Sequence, residues 1–305
     1  YDAEVLRLFG AVDKIVGVSS WMPKKYFHTL CIPELSKLPT VGSHTGRGTN
    51  LDYEAIFNLN PDLVNGWYYN IAEVDEKLPG ITVVGFDFFV PETIREEIVK
   101  FGYIFDKKDE AKHYIDDFHD KYLNHIKTRT EGLSDKNRPK VYVERHNKAY
   151  LTYASASYVQ QGIYLAGGKN IFADLPGSQI NVDPEEVLTR NPDVIIKYGY
   201  YDTGYGIDDI SKAKESRDEI MNRPELANVN AVKNGRVYIM HMSLNLGPKH
   251  PIAKVHWAKW FQSNLFEDLD PHAIHQEYLK CQDIDYDLNK HGVFVYHPEE
   301  HPDGK

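Results

Sequence analysis

The sequence predicts an α/β fold made of two similar three-layer α/β/α lobes, each with a parallel sheet, joined by a single long helix. Three observations support this prediction: short apolar strand patterns alternate with helical patterns, one helical pattern is unusually long, and two segments of the chain resemble each other. Two lobes joined by one helix, with no second crossover, are expected to leave a cleft between them. Such a scaffold is suited to clamping a ligand.

The strand patterns are short β-branched runs that begin and end near Gly, Pro or Asn. They alternate with helical patterns, which is typical of a parallel sheet covered by helices on both faces. We predict strands at Lys14–Val18, Leu63–Trp67, Ile81–Phe86, Val141–Arg145, Val194–Tyr198 and Val237–His241.

The long helical pattern runs from Asp106 to about Thr130. Its apolar residues recur at the 3.6-residue spacing of an α-helix, with charged residues between them. They are Ala111, Tyr114, Ile115, Phe118, Tyr122, Leu123 and Ile126. One helix of roughly 25 residues would be about 37 Å long at 1.5 Å per residue. We therefore predict an N-terminal lobe over residues 1–104, a connecting helix over 105–131, a C-terminal lobe over 138–282 and a tail over 283–305.

The two similar segments are Leu51–Asn65 and Val182–Ile196, which align at a constant offset of 131 residues. The identical pairs are Asp52/Asp183, Glu54/Glu185, Asn60/Asn191, Pro61/Pro192 and Asp62/Asp193. Each copy is interpreted as an N-capping Asp, a helix, an Asn-Pro-Asp stop and a buried strand. Asn-Pro-Asp is also a generic turn between a helix and a strand, but the joint match favours two lobes of similar fold.

The composition excludes several classes of protein. With 35 Lys+Arg against 45 Asp+Glu the formal net charge is −10, which argues against nucleic acid as a partner because phosphate binding needs clustered Lys and Arg. No apolar run approaches the roughly 18–20 residues of a membrane-spanning helix. Cys31 and Cys281 are too few for a zinc motif or a disulfide framework. The 21 Tyr, 14 His and 4 Trp suit a wet binding cleft, although Tyr is also a common surface and strand residue.

Five short motifs are spread in order over most of the chain: Phe9–Val18, Leu51–Val64, Leu165–Ile171, Val182–Ile196 and Val232–Tyr238. Together they resemble the helical-backbone, class III substrate-binding proteins of ABC importers for metal chelates, a family that includes ferric-siderophore, haem and cobalamin binders. The resemblance implies a monomer without an intrinsic cofactor, which captures a small ligand containing a metal and delivers it to the transmembrane subunits of an ABC permease.

The two ends of the chain depart from the family pattern. No export signal precedes Tyr1, so we expect a trimmed mature chain that is periplasmic, or extracellular and tethered to a membrane. The tail over 283–305 extends past the usual final helix. Its His297 and His301 flank Pro-Glu-Glu, and we expect both to be solvated.

The loops at the carboxyl ends of the strands should line the cleft, because open parallel sheets bind ligands there. These loops are rich in aromatic, Arg and His residues. We predict as ligand-binding residues Trp21, His44, Arg47, Trp67, Tyr68, Arg145, His146, Gln179, Tyr198 and His241. Aromatic faces hold flat chelates, and Arg side chains hold carboxylates or oxyanions. Ferric siderophores, cobalamin, haem, nickel or cobalt chelates, molybdate and tungstate therefore all remain open as ligands.

Three histidines of the predicted cleft could also bind a metal. His44, His146 and His241 are candidates for direct metal ligation, although hydrogen bonding to a chelate or oxyanion is the favoured role.

Glu54 and Glu185 occupy the same place in the first turns of the two repeated helices, where the helix dipole favours a carboxylate by only about 0.3–1 kcal/mol. In the family that the sequence resembles, glutamates at these positions engage arginines of the permease. We therefore predict that both are docking residues.

Enzymatic functions are not favoured, because the sequence lacks the common phosphate-binding, dinucleotide-binding, serine-hydrolase and zinc-protease motifs. The alternative that stays open is a metal-handling enzyme of the chelatase type on a similar two-lobed fold, with His and Glu in the cleft as acid and base. A carrier of bare metal ions would show a His-rich acidic loop, whereas the 14 His of this chain are scattered.

Overall fold

The computed structural model of the chain describes residues 1–20, 32–45, 48–67 and 71–300, with the side chains of residues 44, 45, 48, 49 and 67 left out. The chain divides into two compact units. Unit 1 comprises Tyr1–Ile115 and Cys281–Ile284, and unit 2 comprises Asp116–Lys280 and Asp285–Lys305. Strands and helices alternate in both units, in agreement with the predicted α/β fold. The division between the units falls inside the predicted connecting helix, and most of the predicted tail belongs to unit 2.

Unit 1 starts with a helix and a hairpin and then alternates between helices and strands. The bounds are α1 Asp2–Leu8, β1 Gly42–Thr45, β2 Gly48–Leu51, α2 Tyr53–Leu59, β3 Leu63–Trp67, α3 Ile71–Lys77, β4 Thr82–Phe86, α4 Pro91–Ile104 and α5 Lys108–Tyr114. β1 and β2 pair antiparallel, whereas β3 and β4 pair parallel. Ile56, Val74 and Leu78 form a buried cluster in which α2 packs against α3.

The strand predicted at Lys14–Val18 is reduced to a single parallel bridge between Val18 and Thr40. A 3₁₀ turn, Val12–Lys14, occupies the start of the predicted strand. The Val18 N–H donates to the Pro39 carbonyl at 3.0 Å, but Pro39 has no N–H with which to extend the ladder. Most of the run predicted as a strand is therefore not part of one.

The predicted connecting helix is helical from Lys108 to Thr130, but it is not α-helical throughout. α5 is followed by a π-helical segment, Ile115–Asp120, and then by α6, Lys121–Thr130. Of the predicted apolar positions, all are buried except Leu123, which is half-buried. A π-helical turn contains more residues than an α-helical turn and does not end the helix. The apolar spacing therefore predicts the helix but does not show this turn.

The described part of unit 2 contains one large sheet and a small strand pair. The bounds after α6 are β5 Lys140–Glu144, β6 Leu151–Tyr153, α7 Tyr158–Leu165, β7 Lys169–Asn170, β8 Gln179–Asn181, α8 Pro184–Arg190, β9 Val194–Gly199, α9 Ser211–Met221, α10 Asn230–Lys233, β10 Val237–His241, α11 His250–Phe261, α12 Pro271–Cys281 and β11 Val295–Tyr296. The strand order is β11-β10-β9-β5-β7, with β11 antiparallel to β10 and the other pairs parallel. β9 is buried along its whole length, as a central strand covered on both faces should be.

The C-terminal segment is part of the fold of unit 2. Most of Val293–Tyr296 is buried, and β11 pairs with β10. The prediction that His297 is solvated was wrong. Its side chain is buried, its Nε2 donates to the Gly235 carbonyl at 2.8 Å, and its ring stacks on Tyr238 with the centroids 4.5 Å apart. His301 lies outside the described residues.

The internal repeat is present in the structure as well as in the sequence. α2 and α8 each have seven residues and begin after an Asp whose carboxylate accepts a hydrogen bond from a backbone N–H in the first turn. They end at Asn60 and Asn191, which have the left-handed φ values of 46° and 47° that Asn tolerates. Residues 51–59 and 182–190 also follow the same order of buried, half-buried and exposed positions. Each unit therefore contains the same helix-to-strand element.

Candidate ligand-binding site

The structure places the predicted unit 1 residues only in part. Trp21, Arg47 and Tyr68 lie outside the described residues. His44 lies on β1 and Trp67 ends β3, but their side chains are not described. The contribution of unit 1 to ligand binding therefore stays a prediction.

In unit 2 the carboxyl ends of three neighbouring parallel strands meet at one edge of the sheet. Glu144 at the end of β5 is in register with Lys197 of β9, and Gly199 at the end of β9 is in register with His241 of β10. The loops that follow these strands therefore start side by side. This is the edge at which open parallel sheets bind ligands.

Three aromatic rings at or just beyond the ends of these strands stack on one another, and we call His146, Tyr200 and His241 the ring column. The rings of His146 and Tyr200 are 5.0 Å apart at an interplanar angle of 24°, and those of Tyr200 and His241 are 5.9 Å apart at 14°. All three residues are half-buried. Because the faces of stacked rings cover each other, the column presents mainly ring edges, which carry the imidazole nitrogens and the phenol oxygen. His146 Nδ1 is buried and His241 Nδ1 faces Thr203, so the Nε2 atoms and the Tyr200 hydroxyl are the groups left for a ligand.

His241 is held in place on several sides. Its Nδ1 is 3.0 Å from the hydroxyl of Thr203, which is buried, and its backbone N–H donates to the Phe294 carbonyl at 2.6 Å. Gly204, with a φ of +109°, packs directly against the imidazole. A Cβ atom at this position would lie 2.9 Å from the ring Cε1, so the loop can approach the ring this closely only with glycine.

Arg145 follows β5 and reaches toward the small strand pair. Its Nη1 donates to Gln179 Oε1 at 2.6 Å, and its carbonyl accepts from Lys197 Nζ at 3.0 Å. Among the residues that the structure describes, the buried Nε of Arg145 has no hydrogen-bond partner. An oriented guanidinium with an N–H left over is suited to pair with a carboxylate or another anionic oxygen.

A buried ion network beneath Arg145 fixes the end of β5. Glu144 is 0% exposed and accepts hydrogen bonds from Lys197 at 2.8 Å, from Arg223 at 2.7 and 2.9 Å, from the Tyr142 hydroxyl at 3.1 Å and from the Tyr150 backbone N–H at 3.0 Å. Burial by itself raises the pKa of Glu144, but the hydrogen bonds from Arg223 and the charge of Lys197 hold that pKa below its usual value. The carboxylate therefore stays ionised and rigidly held.

Tyr198 does not lie at the edge of the sheet. Its side chain is 0% exposed, and its hydroxyl accepts from Asn245 Nδ2 at 2.8 Å. Burial raises its pKa well above the ordinary value. The ring is part of the core of unit 2, and Tyr200, which follows the last residue of β9, stands at the surface instead. The sequence signal for this was Gly199, which marks the end of the strand.

The described residues contain no group of three or more His, Cys, Asp or Glu side chains that could hold a metal ion. His146 and His241 lie in the same ring column, where each stacks on Tyr200. Direct metal ligation by His44 together with His146 and His241 stays a prediction, since the side chain of His44 is not described.

No helix in the described part of the chain is long and apolar enough to cross a membrane.

Glu54 and Glu185 are exposed residues in the first turns of α2 and α8. Neither carboxylate is needed to cap its helix, since the capping hydrogen bonds come from Asp52 and Asp183. Both side chains are therefore available to a partner, and docking to a permease stays a prediction.

The sequence is similar to that of known binding proteins. A sequence profile of the family described as periplasmic binding protein matches residues 2–244. An uncharacterized lipoprotein of Methanocaldococcus jannaschii is 28% identical over 242 residues, which cover 74% of this chain and 58% of that protein. The vitamin B12-binding protein of Pectobacterium carotovorum is 26% identical over 196 residues, which cover 63% of this chain and 66% of that protein. The chain thus spans less than two thirds of the length of either relative.

A solved structure shows the same fold. The TroA-like periplasmic binding protein FepB from Veillonella parvula superimposes with a TM-score of 0.82 at 22% identity, covering 96% of this chain and 90% of that one. At this identity the likeness concerns the fold alone. The family profile, however, covers most of the chain and excludes the chelatase alternative, because members of the family bind ligands and do not transform them. The chain belongs to the periplasmic binding protein family.

Proposed function

We propose that the chain captures a metal chelate outside the cytoplasm and delivers it to the transmembrane subunits of an ABC importer. The observation that carries the proposal is that Arg145 and the three residues of the ring column all stand at or just beyond the carboxyl ends of neighbouring strands of unit 2. Anionic oxygens of a chelate match the guanidinium, and the ring edges supply further hydrogen-bonding groups. The metal belongs to the ligand, and the protein holds no cofactor of its own.

A chelate is favoured over a bare metal ion because the described residues contain no cluster of metal-ligating side chains. A relative named for binding vitamin B12 supports the same class of ligand. A metal oxyanion such as molybdate is the second candidate. It is favoured by the guanidinium of Arg145, a group that pairs well with anionic oxygens.

The partner and the location complete the proposal. Glu54 and Glu185 are proposed to pair with arginines of the permease, and the protein is proposed to act as a monomer. A relative named as a lipoprotein supports a location outside the cytoplasm with a membrane tether. Trp21, His44, Arg47, Trp67 and Tyr68 are proposed as the ligand contacts of unit 1.

Two measurements test the ligand class. Elemental analysis of the protein as purified should detect a stoichiometric metal if the ligand copurifies. Calorimetric titration should then be run with ferric catecholate and hydroxamate siderophores, haem, cobalamin, molybdate and tungstate. We expect at least one chelate to bind, and Arg145→Ala to weaken its affinity by about tenfold or more, because a charge-assisted hydrogen bond is lost.

The matched control is Arg129→Ala. Arg129, in the last turn of α6, is also a partly exposed arginine of unit 2, but its side chain pairs with Asp268. Its removal should leave ligand affinity unchanged. Binding of molybdate or tungstate alone would replace the chelate by an oxyanion, and the absence of any binding would reject the proposed site.

A further inference from the structure

Arg145 and His146 begin a short loop whose two ends are fastened by one carboxylate. The loop runs from Arg145 to Tyr150 and joins β5 to β6. At its start, the Arg145 carbonyl accepts from Lys197 Nζ at 3.0 Å, and the same ammonium donates to Glu144 Oε1 at 2.8 Å. At its end, the Tyr150 backbone N–H donates to Glu144 Oε2 at 3.0 Å. The carboxylate of Glu144 therefore holds both ends of the loop together.

Tyr150, the last residue of the loop, has an unusual backbone conformation. Its φ is +58°, in the left-handed region that Gly, Asn and Asp enter most easily and that a bulky residue rarely adopts. The backbone alone would be served better by one of those smaller residues. A strained residue of this kind is stable only when its surroundings hold it in place, so the side chain of Tyr150 calls for an explanation.

The side chain of Tyr150 is held by two neighbours. Its hydroxyl donates to Glu225 Oε1 at 2.5 Å, and the guanidinium of Arg223 lies 5.0 Å from the centroid of its ring. Arg223 also donates to both oxygens of Glu144, at 2.7 and 2.9 Å. The contacts form a closed circuit, because the ring of Tyr150 contacts Arg223, Arg223 holds Glu144, and Glu144 accepts from the Tyr150 backbone. The ring thus helps to fix the loop that its own backbone ends.

The position of Tyr150 separates it from the ring column. It packs against the buried cluster that includes Phe172 and Val187, and its carbonyl accepts from the Val182 N–H at 3.0 Å. The exposed residues 147–149 lie between it and His146 along the chain. Tyr150 is therefore part of the fold of unit 2, and the loop is its connection to the carboxyl edge of the sheet.

We propose that Tyr150 is a positioning residue, which fixes the loop so that Arg145 and His146 have their binding orientation before a ligand arrives. This inference rests on the proposed function, because it concerns the same edge of the sheet. A side chain that is oriented in advance loses less conformational freedom on binding, which increases affinity. Tyrosine suits this left-handed position because its ring contacts Arg223 while its hydroxyl reaches Glu225.

The first test uses the full chain and needs no ligand. NMR of isotope-labelled histidine reports on the His146 ring, whose signal depends on its stacking against Tyr200. Tyr150→Asn keeps a residue that tolerates the left-handed backbone but removes the ring, so the His146 signal should move toward its position in Tyr200→Ala. Tyr150→Phe removes only the hydroxyl and should move the signal less. Tyr164→Ala is the matched control and should not move it, since Tyr164 lies 4.0 Å from an arginine, Arg138, but on α7.

The second test measures affinity by calorimetric titration with ferric siderophores, haem, cobalamin, molybdate and tungstate. Tyr150→Asn should weaken binding by about fivefold or more, a coupling typical of residues in one network. In a chain that already carries Arg145→Ala, the same substitution should weaken binding by about twofold or less, because Tyr150 acts through the loop that orients Arg145. Loss of stability alone would not produce this dependence on Arg145.

Two results would overturn the positioning role. One is a wild-type His146 signal in folded Tyr150→Asn, and the other is an equal loss of affinity from this substitution with and without Arg145. Should Tyr150→Asn not fold, Tyr150→Phe and Glu225→Ala decide instead, since each removes the hydroxyl contact and should move the His146 signal in the same direction. If the wild type binds none of the titrated compounds, the proposed function fails, whereas the NMR measurement still decides whether Tyr150 fixes the loop.

Discussion

The backbone N–H of His241 donates a hydrogen bond of 2.6 Å to the carbonyl of Phe294. This bond links the end of β10 to the C-terminal segment. The neighbouring carbonyl of Val293 accepts from Gly204, the residue that packs against the His241 ring. The C-terminal segment therefore supports both the third ring of the column and the loop that confines it.

Replacing Phe294 by Ala should destabilise unit 2. The Phe294 ring is buried and contacts the rings of Tyr205 and His275, each at a centroid distance of 4.5 Å. A cavity of this size should lower the free energy of unfolding by about 3 kcal/mol, measured by urea denaturation. Tyr201→Ala is the control, because Tyr201 is 83% exposed and its removal should change stability by less than about 0.5 kcal/mol. Equal stability of the two variants would contradict the supporting role of the C-terminal segment.

The repeated element and the C-terminal segment show which parts of the fold are readable in the sequence. The helix-to-strand element is encoded locally, by an N-capping Asp and by an Asn that accepts the left-handed conformation, so both copies could be predicted. β11 is held by β10, more than fifty residues earlier in the chain. Pairing over such a distance leaves no periodic signal in a two-residue strand.

In the candidate site, too, features set by the local sequence were predictable and features set by distant residues were not. Arg145, His146 and His241 could be placed at the carboxyl edge of the sheet because they follow strand patterns. The choice of Tyr198 over Tyr200 placed the end of β9 one residue too early, although Gly199 marks it in the sequence. The ion network of Glu144 was not anticipated, since Lys197 and Arg223 come from distant parts of the chain.

Glu144→Gln should destabilise unit 2 by about 3 kcal/mol at neutral pH, because the buried charge of Lys197 would lose its counter-ion and Arg223 would keep only the exposed Glu219. The effect should depend on pH. The pKa of Glu144 is lower in the folded protein than its ordinary value of 4.5, so its contribution is fully present above pH 4.5 and disappears as the pH falls through the folded pKa.

Urea denaturation at pH 7 and below pH 4 measures this difference. The wild type should lose more stability than Glu144→Gln on acidification, so that the two unfolding free energies approach each other. Glu219→Gln is the matched control, since Glu219 also pairs with Arg223 but is 60% exposed. A constant gap between wild type and Glu144→Gln at all pH values would show that the carboxylate charge does not stabilise the fold.

His256 should make the protein sensitive to milder acid. Burial lowers its pKa from 6.5 to about 4, so the unfolded chain takes up a proton in this range while the folded protein does not. Stability is therefore complete above pH 6.5 and falls between pH 6.5 and 4. From pH 7.5 to 5 the contribution of His256 alone to this loss should be about 2 kcal/mol. His256→Leu should show a shallower pH dependence than the wild type, whereas His272→Leu should not, because His272 is exposed. The same slope in both variants would contradict the buried neutral imidazole.

Substitutions of Tyr200 separate two contributions of the ring column to ligand binding: the stacking of its rings and the hydrogen bonding of its edges. Tyr200→Ala removes the middle ring, so His146 and His241 lose their stacking partner and the affinity for the bound chelate should fall by about tenfold or more. Tyr200→Phe keeps the ring and removes only the hydroxyl. If the ligand contacts the edges of the column, Tyr200→Phe should lose most of the affinity that Tyr200→Ala loses, since a hydrogen bond to a charged group is worth about 1.5–3 kcal/mol. Calorimetric titration of both variants decides this, with Tyr164→Phe, on the surface of α7, as the control for loss of a phenol hydroxyl. Wild-type affinity of Tyr200→Phe would mean that the column only positions its neighbours and does not contact the ligand through its edges.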